Sequence, residues 1–185
     1  MKLIILDRDG VINQESPAFI KSPEEWLPIK GSLEAIARLS QAKYDVVVLT
    51  NQSGVGRGLI SADTLGKIHV RMIDYIHQHG GKIQSILFCP HHPDDGCDCR
   101  KPKDGLYKEL GHRLGVSFKG ICSVGDSVRD LSAAKSAGAT PILVKTGNGK
   151  KSLKEIRNNT ELGLADTMVF DSLSAFTNDL LSSET

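Results

Sequence analysis

Residues 3–10 read LIILDRDG: four apolar side chains are followed at once by two aspartates that flank an arginine. A short apolar run that stops at charged residues is typical of a strand buried on both faces of a sheet. Asp7 and Asp9 therefore stand at the end of a buried strand, where ionised carboxylates are costly unless they bind a cation or share a proton. This stretch predicts both the class of fold and the start of a functional site.

Short apolar runs of the same kind recur along the chain and alternate with segments of helical period. The predicted strands cover residues 3–6, 46–49, 86–88, 121–124, 142–144 and 168–170. One predicted helix begins at Ser61, a good N-cap. The others lie around residues 33–39, from 127 to 138 and from 173 onward, and a loop is expected over residues 146–160. The alternation predicts an α/β fold: a doubly wound, Rossmann-like, mostly parallel sheet with helices on both faces.

The whole chain, residues 1–185, is expected to form one domain, because about 100–200 residues is the usual domain size. Its 23 Lys and Arg against 22 Asp and Glu give a formal net charge of +1, which argues against nucleic acid as a partner. No apolar run approaches the ~18 residues of a membrane span, and none has the features of a signal peptide. We therefore expect a cytoplasmic monomer that binds neither nucleic acid nor membrane.

Polar residues follow several of the predicted strands at the point where each strand ends. Because the carboxyl ends of parallel strands share one edge of a sheet, these residues should converge on one crevice. They are Asp7–Asp9, Thr50–Asn51, Cys89–His91 and Gly125–Asp126. The carboxylates of Asp7, Asp9 and Asp126 around one cavity suit Mg²⁺, an ion that keeps several waters and meets substrate phosphate.

A glycine-rich run, QSGVGRG at residues 52–58, follows the second predicted strand. Glycines let backbone N–H groups approach an anion closely, and the guanidinium of Arg57 can grip a phosphate. The spacing is not that of a dinucleotide-binding GxGxxG motif, because residue 59 is Leu. We expect Asn51, Gln52, Ser53 and Arg57 to bind substrate.

Three of the four cysteines lie within eleven residues, a crowding that favours a metal site over disulfides. Three thiolates and one imidazole make a closed tetrahedral zinc site, in which zinc shapes the loop at residues 89–99 and takes no part in chemistry. The expected ligands are Cys89, His91, Cys97 and Cys99, with His92 as the alternative to His91. Cys122 lies in an apolar run and is expected to be buried in the core.

Arg100 and Lys101 follow the last of these cysteines, so a metal-pinned loop can hold both cations over the crevice. A phosphoryl group in transfer spreads negative charge over its oxygens, and fixed cations stabilise that charge. The two side chains therefore point to chemistry on a phosphate ester.

Together these residues resemble the haloacid dehalogenase superfamily of phosphohydrolases over residues 1–150. The four motifs of the family occur in order: Asp7-x-Asp9-Gly10, Thr50, Lys101 and Gly125-Asp126-x-x-x-Asp130. The resemblance implies that Asp7 is a nucleophile that is phosphorylated during turnover. It also implies that Asp9 protonates the leaving alkoxide and then activates the hydrolytic water.

The same resemblance assigns the remaining site residues. Thr50 and Asn51 would bind the phosphoryl group, and Lys101 would neutralise it. Mg²⁺ would sit on Asp7, on the backbone carbonyl of Asp9 and on Asp126, whereas Asp130 could serve either the site or only the first turn of its helix.

The zinc loop narrows the resemblance to a subgroup that holds heptose 1,7-bisphosphate 7-phosphatases and histidinol-phosphate phosphatases. The stretch TNQSGVGRG at residues 50–58 and the pair Thr146-Gly147 are similar to the heptose enzymes, while the short spacing from His91 to Cys97 fits either group. The expected substrate is a sugar bisphosphate, a precursor of cell-surface heptose, with Arg57 and Arg100 as anchors for its second phosphate. Histidinol phosphate stays open as the alternative substrate, as does a non-catalytic phosphate-binding module, and the anomer is undecided.

Many members of the superfamily close their site with a separate cap domain, for which this chain has no room. Only about forty residues separate Asp9 from Thr50, and a helix takes up part of them. We expect residues 14–26 and the zinc loop to form the wall of the substrate site instead.

Overall fold

The computed structural model describes residues 2–183, and a six-stranded parallel sheet lies at its centre. The strands are β1 (Leu3–Leu6), β2 (Asp45–Asn51), β3 (Ser85–Cys89), β4 (Cys122–Gly125), β5 (Thr140–Val144) and β6 (Met168–Phe170). Their order across the sheet is β3-β2-β1-β4-β5-β6, with every neighbouring pair parallel. The doubly wound, Rossmann-like sheet expected from the sequence is confirmed.

Six α-helices connect or follow the strands. They are α1 (Ser32–Gln41), α2 (Ala62–Gln78), α3 (Gly105–Leu114), α4 (Val128–Ser136), α5 (Gly149–Asn158) and α6 (Leu173–Ser182). Ser61 caps α2 as expected, since its side chain accepts a hydrogen bond from the Thr64 backbone.

The expected loop over residues 146–160 is wrong, because most of it forms α5. Only Leu153 and Ile156 are apolar in the sequence GKKSLKEIRN, and although they lie on one face of the helix, two apolar side chains are too few to stand out from the polar residues around them. The helix is held by packing on α4 and β5. Helix α3 was also absent from the expected elements, although Leu106, Tyr107 and Leu110 form a buried face at helical spacing.

The alternation of side chains along the central strands explains why helices cover both faces of the sheet. Ile4 and Leu6 of β1 point into a core that includes residues of α1, α2 and α6. Leu3 and Ile5 point to the opposite face, where α3 and α4 cover them. Cys122, expected to be fully buried, is half-buried at the margin of the first core.

Strands β1 and β4 are neighbours although they are far apart in the chain, because the strand order reverses at this point. A doubly wound sheet opens a crevice at such a reversal, outside the carboxyl ends of its strands. Asp7 follows β1 and Asp126 follows β4, so the fold brings both residues to that crevice.

Across residues 2–183, the structure has no helix that combines the length and apolar character needed to cross a bilayer.

Candidate active site

The expected convergence of polar residues occurs at the carboxyl edge of the sheet. A cavity of about 80 Å³ lies there, and its lining residues include Asp7, Asp9, Asn51, Lys101, Asp126 and Asp130. They come from the ends of β1, β2 and β4, from the start of α4 and from the loop after β3. With Glu15, which also lines the cavity, five carboxyl groups and the ammonium group of Lys101 meet around a small polar space.

Lys101 links two of these carboxylates. Its Nζ lies 2.9 Å from Oδ1 of Asp7 and 2.6 Å from Oδ1 of Asp130, and it donates to the Leu49 carbonyl at 2.7 Å. Burial alone would lower the pKa of Lys101, but the two carboxylates more than offset it and raise that pKa above its ordinary value. The ammonium group therefore stays charged in the site.

The carboxyl groups next to Lys101 respond differently to the same surroundings. Burial raises the pKa of Asp7 to about 6, although Lys101 opposes the shift. Burial would also raise the pKa of Asp130, but Lys101 and hydrogen bonds from Ser127 bring it below its ordinary value. Asp130 thus both caps α4 and pairs with Lys101.

The carboxyl group of Asp126 also has a shifted pKa. Burial, together with the nearby charges of Asp130 and Asp7, raises its pKa to about 8. Its Oδ2 accepts a hydrogen bond of 2.7 Å from the Asn148 backbone, and its carbonyl accepts one of 2.8 Å from Ser152. The start of α5, the helix that the sequence did not predict, therefore orients this carboxylate.

Two glycines make room for Asp126. Gly10 and Gly147 both have positive φ, and a side chain on either would collide with the Asp126 carboxylate. The hydroxyl of Thr146 donates a 2.6 Å hydrogen bond to the Gly10 carbonyl and so ties the two loops together.

Oxygen atoms of Asp7, Asp126 and Asp130 lie within 4.8 Å of one another, so that one ion could meet all three. Hard oxygen ligands around a small polar cavity fit Mg²⁺. The side chain of Asp9 is not part of this group.

The Asp9 carboxylate is turned toward a set of hydrogen-bond donors. Arg8 reaches both of its oxygens at 2.9 Å, Asn13 Nδ2 donates to Oδ1 at 2.8 Å, and Gln52 Nε2 donates to Oδ2 at 2.8 Å. Gln52 also donates to the hydroxyl of Thr50 at 3.0 Å. Thr50 is buried behind Gln52 and is not one of the residues that line either cavity of the site.

Asn51 fixes the backbone at Lys101. Its Nδ2 donates to the Lys101 carbonyl and its Oδ1 accepts from the Lys101 N–H, both at 3.1 Å. The end of β2 is thereby joined to the loop that carries the ammonium group, while Asn51 still lines both cavities.

A second cavity, of about 260 Å³, adjoins the first and shares Asp9, Glu15, Asn51 and Arg129 with it. Four arginines line this outer cavity: Arg8, which is paired with Asp9, and three others, Arg57, Arg100 and Arg129. Among residues 2–183, the buried NH1 of Arg100 finds no hydrogen-bond partner. The Arg57 guanidinium lies 5.7 Å from the centre of the Phe19 ring. A space with three cations and an unused donor suits an anionic group of a ligand.

The wall of the outer cavity comes partly from the segment expected to form it, since residues 15–17, 19 and 20 line it. Ser53 and Gln52 line it from the glycine-rich run. None of the described residues at its lining belongs to the zinc loop, residues 89–99, so the loop reaches the cavity only through Arg100. The loop packs instead on Gly56, whose N–H donates to the Pro90 carbonyl at 2.8 Å.

The four expected zinc ligands come together in one cluster. Their separations include 3.6 Å between the sulfurs of Cys89 and Cys97, 3.7 Å between those of Cys97 and Cys99, and 3.2 Å from His91 Nδ1 to Cys99. Tetrahedral zinc sets sulfur and nitrogen ligands about 3.5 to 3.8 Å apart, so the cluster fits that ion. His92 lies outside it, because its ring accepts a hydrogen bond from Asp94 and caps a turn.

Reasoning from the sequence did not name Arg129 or Asn148, and it included Glu15 only within the expected wall of residues 14–26. None of them directly follows an apolar run, which was the signal used to find candidates. Arg129 could have been found, because it lies in the first turn of a helix that begins beside Asp126. Glu15 lies near Asp9 and Asp7, and partial withdrawal from water together with these charges raises its pKa to about 7.

A family model described as HAD-hydrolase-like matches residues 98–175 of the chain. The chain is also 56% identical over 155 residues to a D-glycero-beta-D-manno-heptose-1,7-bisphosphate 7-phosphatase of Bordetella bronchiseptica, with 84% of this chain and 87% of the relative covered. A protein of the same name from Pseudomonas putida is 47% identical over 98% of this chain and 100% of its own length.

A solved structure of high similarity extends these comparisons to three dimensions. The crystal structure of a D,D-heptose 1,7-bisphosphate phosphatase from B. bronchiseptica, complexed with magnesium and phosphate, superimposes with a TM-score of 0.94. The two sequences are 52% identical, and the alignment covers 99% of each chain. The similarity extends over nearly the whole of each chain.

Proposed function

The chain belongs to the family of D-glycero-beta-D-manno-heptose-1,7-bisphosphate 7-phosphatases, which are HAD-like hydrolases, and from this we propose that it removes the 7-phosphate of that sugar. The product is the heptose 1-phosphate. The observation that carries the proposal is the pairing of two cavities: a small one lined by carboxylates and Lys101, and beside it a larger one lined by four arginines.

In the first half of the reaction, we propose that a carboxylate oxygen of Asp7 attacks the phosphorus of the 7-phosphate. A bond from Asp7 to phosphorus forms, the bond to the sugar oxygen breaks, and an aspartyl phosphate results. Lys101, 2.9 Å from Asp7, neutralises charge on the oxygens of the transferred group. Asn51 supports this role because it fixes the backbone of Lys101 on both sides of the residue.

Asp9 is the acid and base of the proposal. It gives a proton to the departing sugar oxygen, which leaves as an alcohol. The resulting carboxylate then takes a proton from a water molecule. The water oxygen attacks phosphorus, the bond from phosphorus to Asp7 breaks, and inorganic phosphate is released. Asn13 and Gln52 hold the Asp9 carboxylate for both steps.

The residues proposed to hold Mg²⁺ are Asp7, Asp126 and the backbone carbonyl of Asp9, with Asp130 close enough to help. When bound, Mg²⁺ would offset the negative charges of the carboxylates and the phosphate and orient the phosphate toward Asp7. Zinc on the cluster of Cys89, His91, Cys97 and Cys99 would be structural and would position Arg100 and Lys101.

The outer cavity supports a bisphosphate over histidinol phosphate as the substrate. A second phosphate carries about two negative charges, and Arg57, Arg100 and Arg129 offer cations for it. Histidinol phosphate has a single phosphate and a cationic amine at its other end, which three guanidinium groups would repel.

Steady-state kinetics on four substrates tests the proposal. We expect the β anomer of the heptose bisphosphate to have the highest kcat/KM, followed by the α anomer, histidinol phosphate and p-nitrophenyl phosphate. The variant Asp7→Asn should fold and have no measurable turnover. Equal kcat/KM values for histidinol phosphate and the heptose bisphosphate would contradict the assigned substrate, and an active Asp7→Asn would contradict the mechanism.

A further inference from the structure

A buried arginine lies between the two aspartates of the site and has no role in the mechanism described so far. The side chain of Arg8 is 1% exposed, and it belongs to the loop that follows β1. A buried guanidinium is costly unless all of its nitrogens find acceptors. The partners of Arg8 therefore show what the chain gains from burying it.

One edge of the Arg8 guanidinium faces Asp9. Nε lies 3.1 Å from Oδ1, and NH2 lies 2.9 Å from both carboxylate oxygens. This forked contact restricts rotation of the Asp9 carboxylate more strongly than a single hydrogen bond would. The third nitrogen, NH1, points away from Asp9.

NH1 of Arg8 meets Nε2 of His69, on helix α2, at 3.3 Å. A guanidinium can only donate, so Nε2 is the acceptor and the proton of the imidazole is on Nδ1. Burial and the charge of Arg8 lower the pKa of His69 to about 4, so the ring is neutral and free to accept at neutral pH. The ring of Phe88 packs edge-on against it, with 5.8 Å between the centroids.

We propose that His69 is a positioning residue that acts through Arg8 to hold the carboxylate of Asp9 in place for proton transfer. Because His69 binds NH1, the guanidinium is held with Nε and NH2 facing the Asp9 carboxylate. Helix α2 thereby supports the acid of the site from a second layer of side chains. The inference rests on the proposed function of Asp9.

The leaving group of the substrate separates this role from a general structural one. A departing sugar alkoxide needs a proton from Asp9, whereas p-nitrophenolate is stable enough to leave without one. The value of kcat/KM reports the steps up to departure of this group. A misplaced Asp9 should therefore lower kcat/KM for the sugar phosphate and leave that for p-nitrophenyl phosphate almost unchanged.

The experiment measures kcat/KM on both esters for the wild type and three variants of the full chain. General acid catalysis contributes roughly 10²–10⁴-fold, so we expect His69→Leu to lose about tenfold on the heptose bisphosphate and less than about twofold on p-nitrophenyl phosphate. His69→Gln keeps an acceptor and should recover most of the loss. Met72→Leu, a change of similar volume in the core side of the same helix, should match the wild type on both esters.

Each result supports or overturns the inference. Equal losses on the two esters, or no loss on either, would overturn the positioning role while the proposed function stands. A wild-type protein that hydrolyses neither ester would overturn both. If thermal unfolding shows that His69→Leu does not fold, Arg8→Lys, which keeps the charge and loses the fork, takes its place with the same expected selectivity.

Discussion

The Nζ of Lys101 lies 2.9 Å from Oδ1 of Asp7, although 94 residues separate the two in the chain. The side chain of Lys101 is 3% exposed and that of Asp7 is 11% exposed, so water screens the pair only weakly. Asp130 contacts the same ammonium group from the other side, at 2.6 Å. One cation thus allows two carboxylates to stay ionised in a cavity that would otherwise favour their protonation.

Replacing Lys101 with Met should affect both stability and turnover. Removal of one partner from a buried ion pair leaves the other charge uncompensated, which costs about 3–5 kcal/mol of unfolding free energy. Loss of a fixed charge on the reacting group should lower kcat by about 10²–10³-fold. Urea unfolding of metal-free protein and steady-state kinetics measure the two effects.

Lys103→Met is the matched control for that change. Lys103 lies two residues away and is half exposed, with its Nζ 3.0 Å from Asp98. Exposed pairs contribute about 0–1 kcal/mol, so this variant should behave almost as the wild type. A Lys101→Met protein as stable and active as Lys103→Met would show that the buried pair has no importance.

Magnesium should stabilise the protein more at pH 8 than at pH 6. Burial raises the pKa of Asp126 to about 8 and that of Asp7 to about 6 in metal-free protein, and a metal must displace these protons. The folded state binds these protons more tightly than the unfolded state, so their contribution to stability is full below the ordinary pKa near 3.8 and is lost as the pH rises through about 8. The rise in Tm on adding Mg²⁺ measures the effect at each pH.

Two variants, one that removes a proposed metal ligand and one control, show whether the rise in Tm comes from the site. Asp126→Asn should lose most of the Mg²⁺ effect at both pH values, whereas Asp171→Asn, at an exposed position on a distant loop, should keep it. A magnesium-induced rise in Tm that is independent of pH between 6 and 8 would contradict the assigned protonation of the site.

Removal of zinc should reduce turnover by misplacing Lys101. Lys101 follows Cys99 by two residues, and its backbone bonds to Asn51 depend on the path of the loop. We expect Cys97→Ser to lose its zinc and to lower kcat by about 10²-fold or more, as removal of a fixed charge from the site would. Cys122→Ala, a cysteine outside the cluster, should keep one zinc per chain by elemental analysis and stay active.

Truncation of Arg100 should distinguish the second phosphate from the first. A hydrogen bond to a charged group contributes about 1.5–3 kcal/mol, so Arg100→Ala should raise KM for the heptose bisphosphate by about 10–100-fold. The KM for p-nitrophenyl phosphate, which has no second phosphate, should change little. Arg113→Ala, which removes an exposed arginine of α3 paired with Glu109, is the control. Equal rises in KM for both esters would contradict a role for Arg100 in binding the second phosphate.

Much of the fold followed from local pattern, because buried parallel strands leave a clear signal. All six strands lie where apolar runs predict them, and β1 matches residues 3–6 at both ends. Helix α5 was not predicted because only two of its ten residues are large and apolar, so its apolar face, although one-sided, is narrow. Its stability comes from tertiary packing against β5 and α4, which no local pattern records.

The candidate site likewise has residues that the sequence pattern predicts and residues that it does not. Asp7, Asp9 and Asp126 directly follow strands, so topology alone brings them together. Glu15, Arg129 and Asn148 reach the cavities from a loop, a first helical turn and a helix start, and their positions depend on how those segments fold back. Arg8 and His69 are 61 positions apart in the chain, and the sequence around either residue gives no pattern that predicts their contact.

Trapping the phosphorylated protein tests the central claim most directly. A single turnover of the heptose bisphosphate, quenched with acid and digested, can be read by mass spectrometry for the mass of one phosphoryl group. With p-nitrophenyl phosphate, whose leaving group needs no proton from Asp9, Asp9→Asn should still form the intermediate and accumulate it, because the variant lacks the base that activates water. We predict the group on the carboxylate of Asp7 and on no other residue, and none in Asp7→Asn. A phosphoryl group found on a different side chain, or one that still forms in Asp7→Asn, would contradict the account.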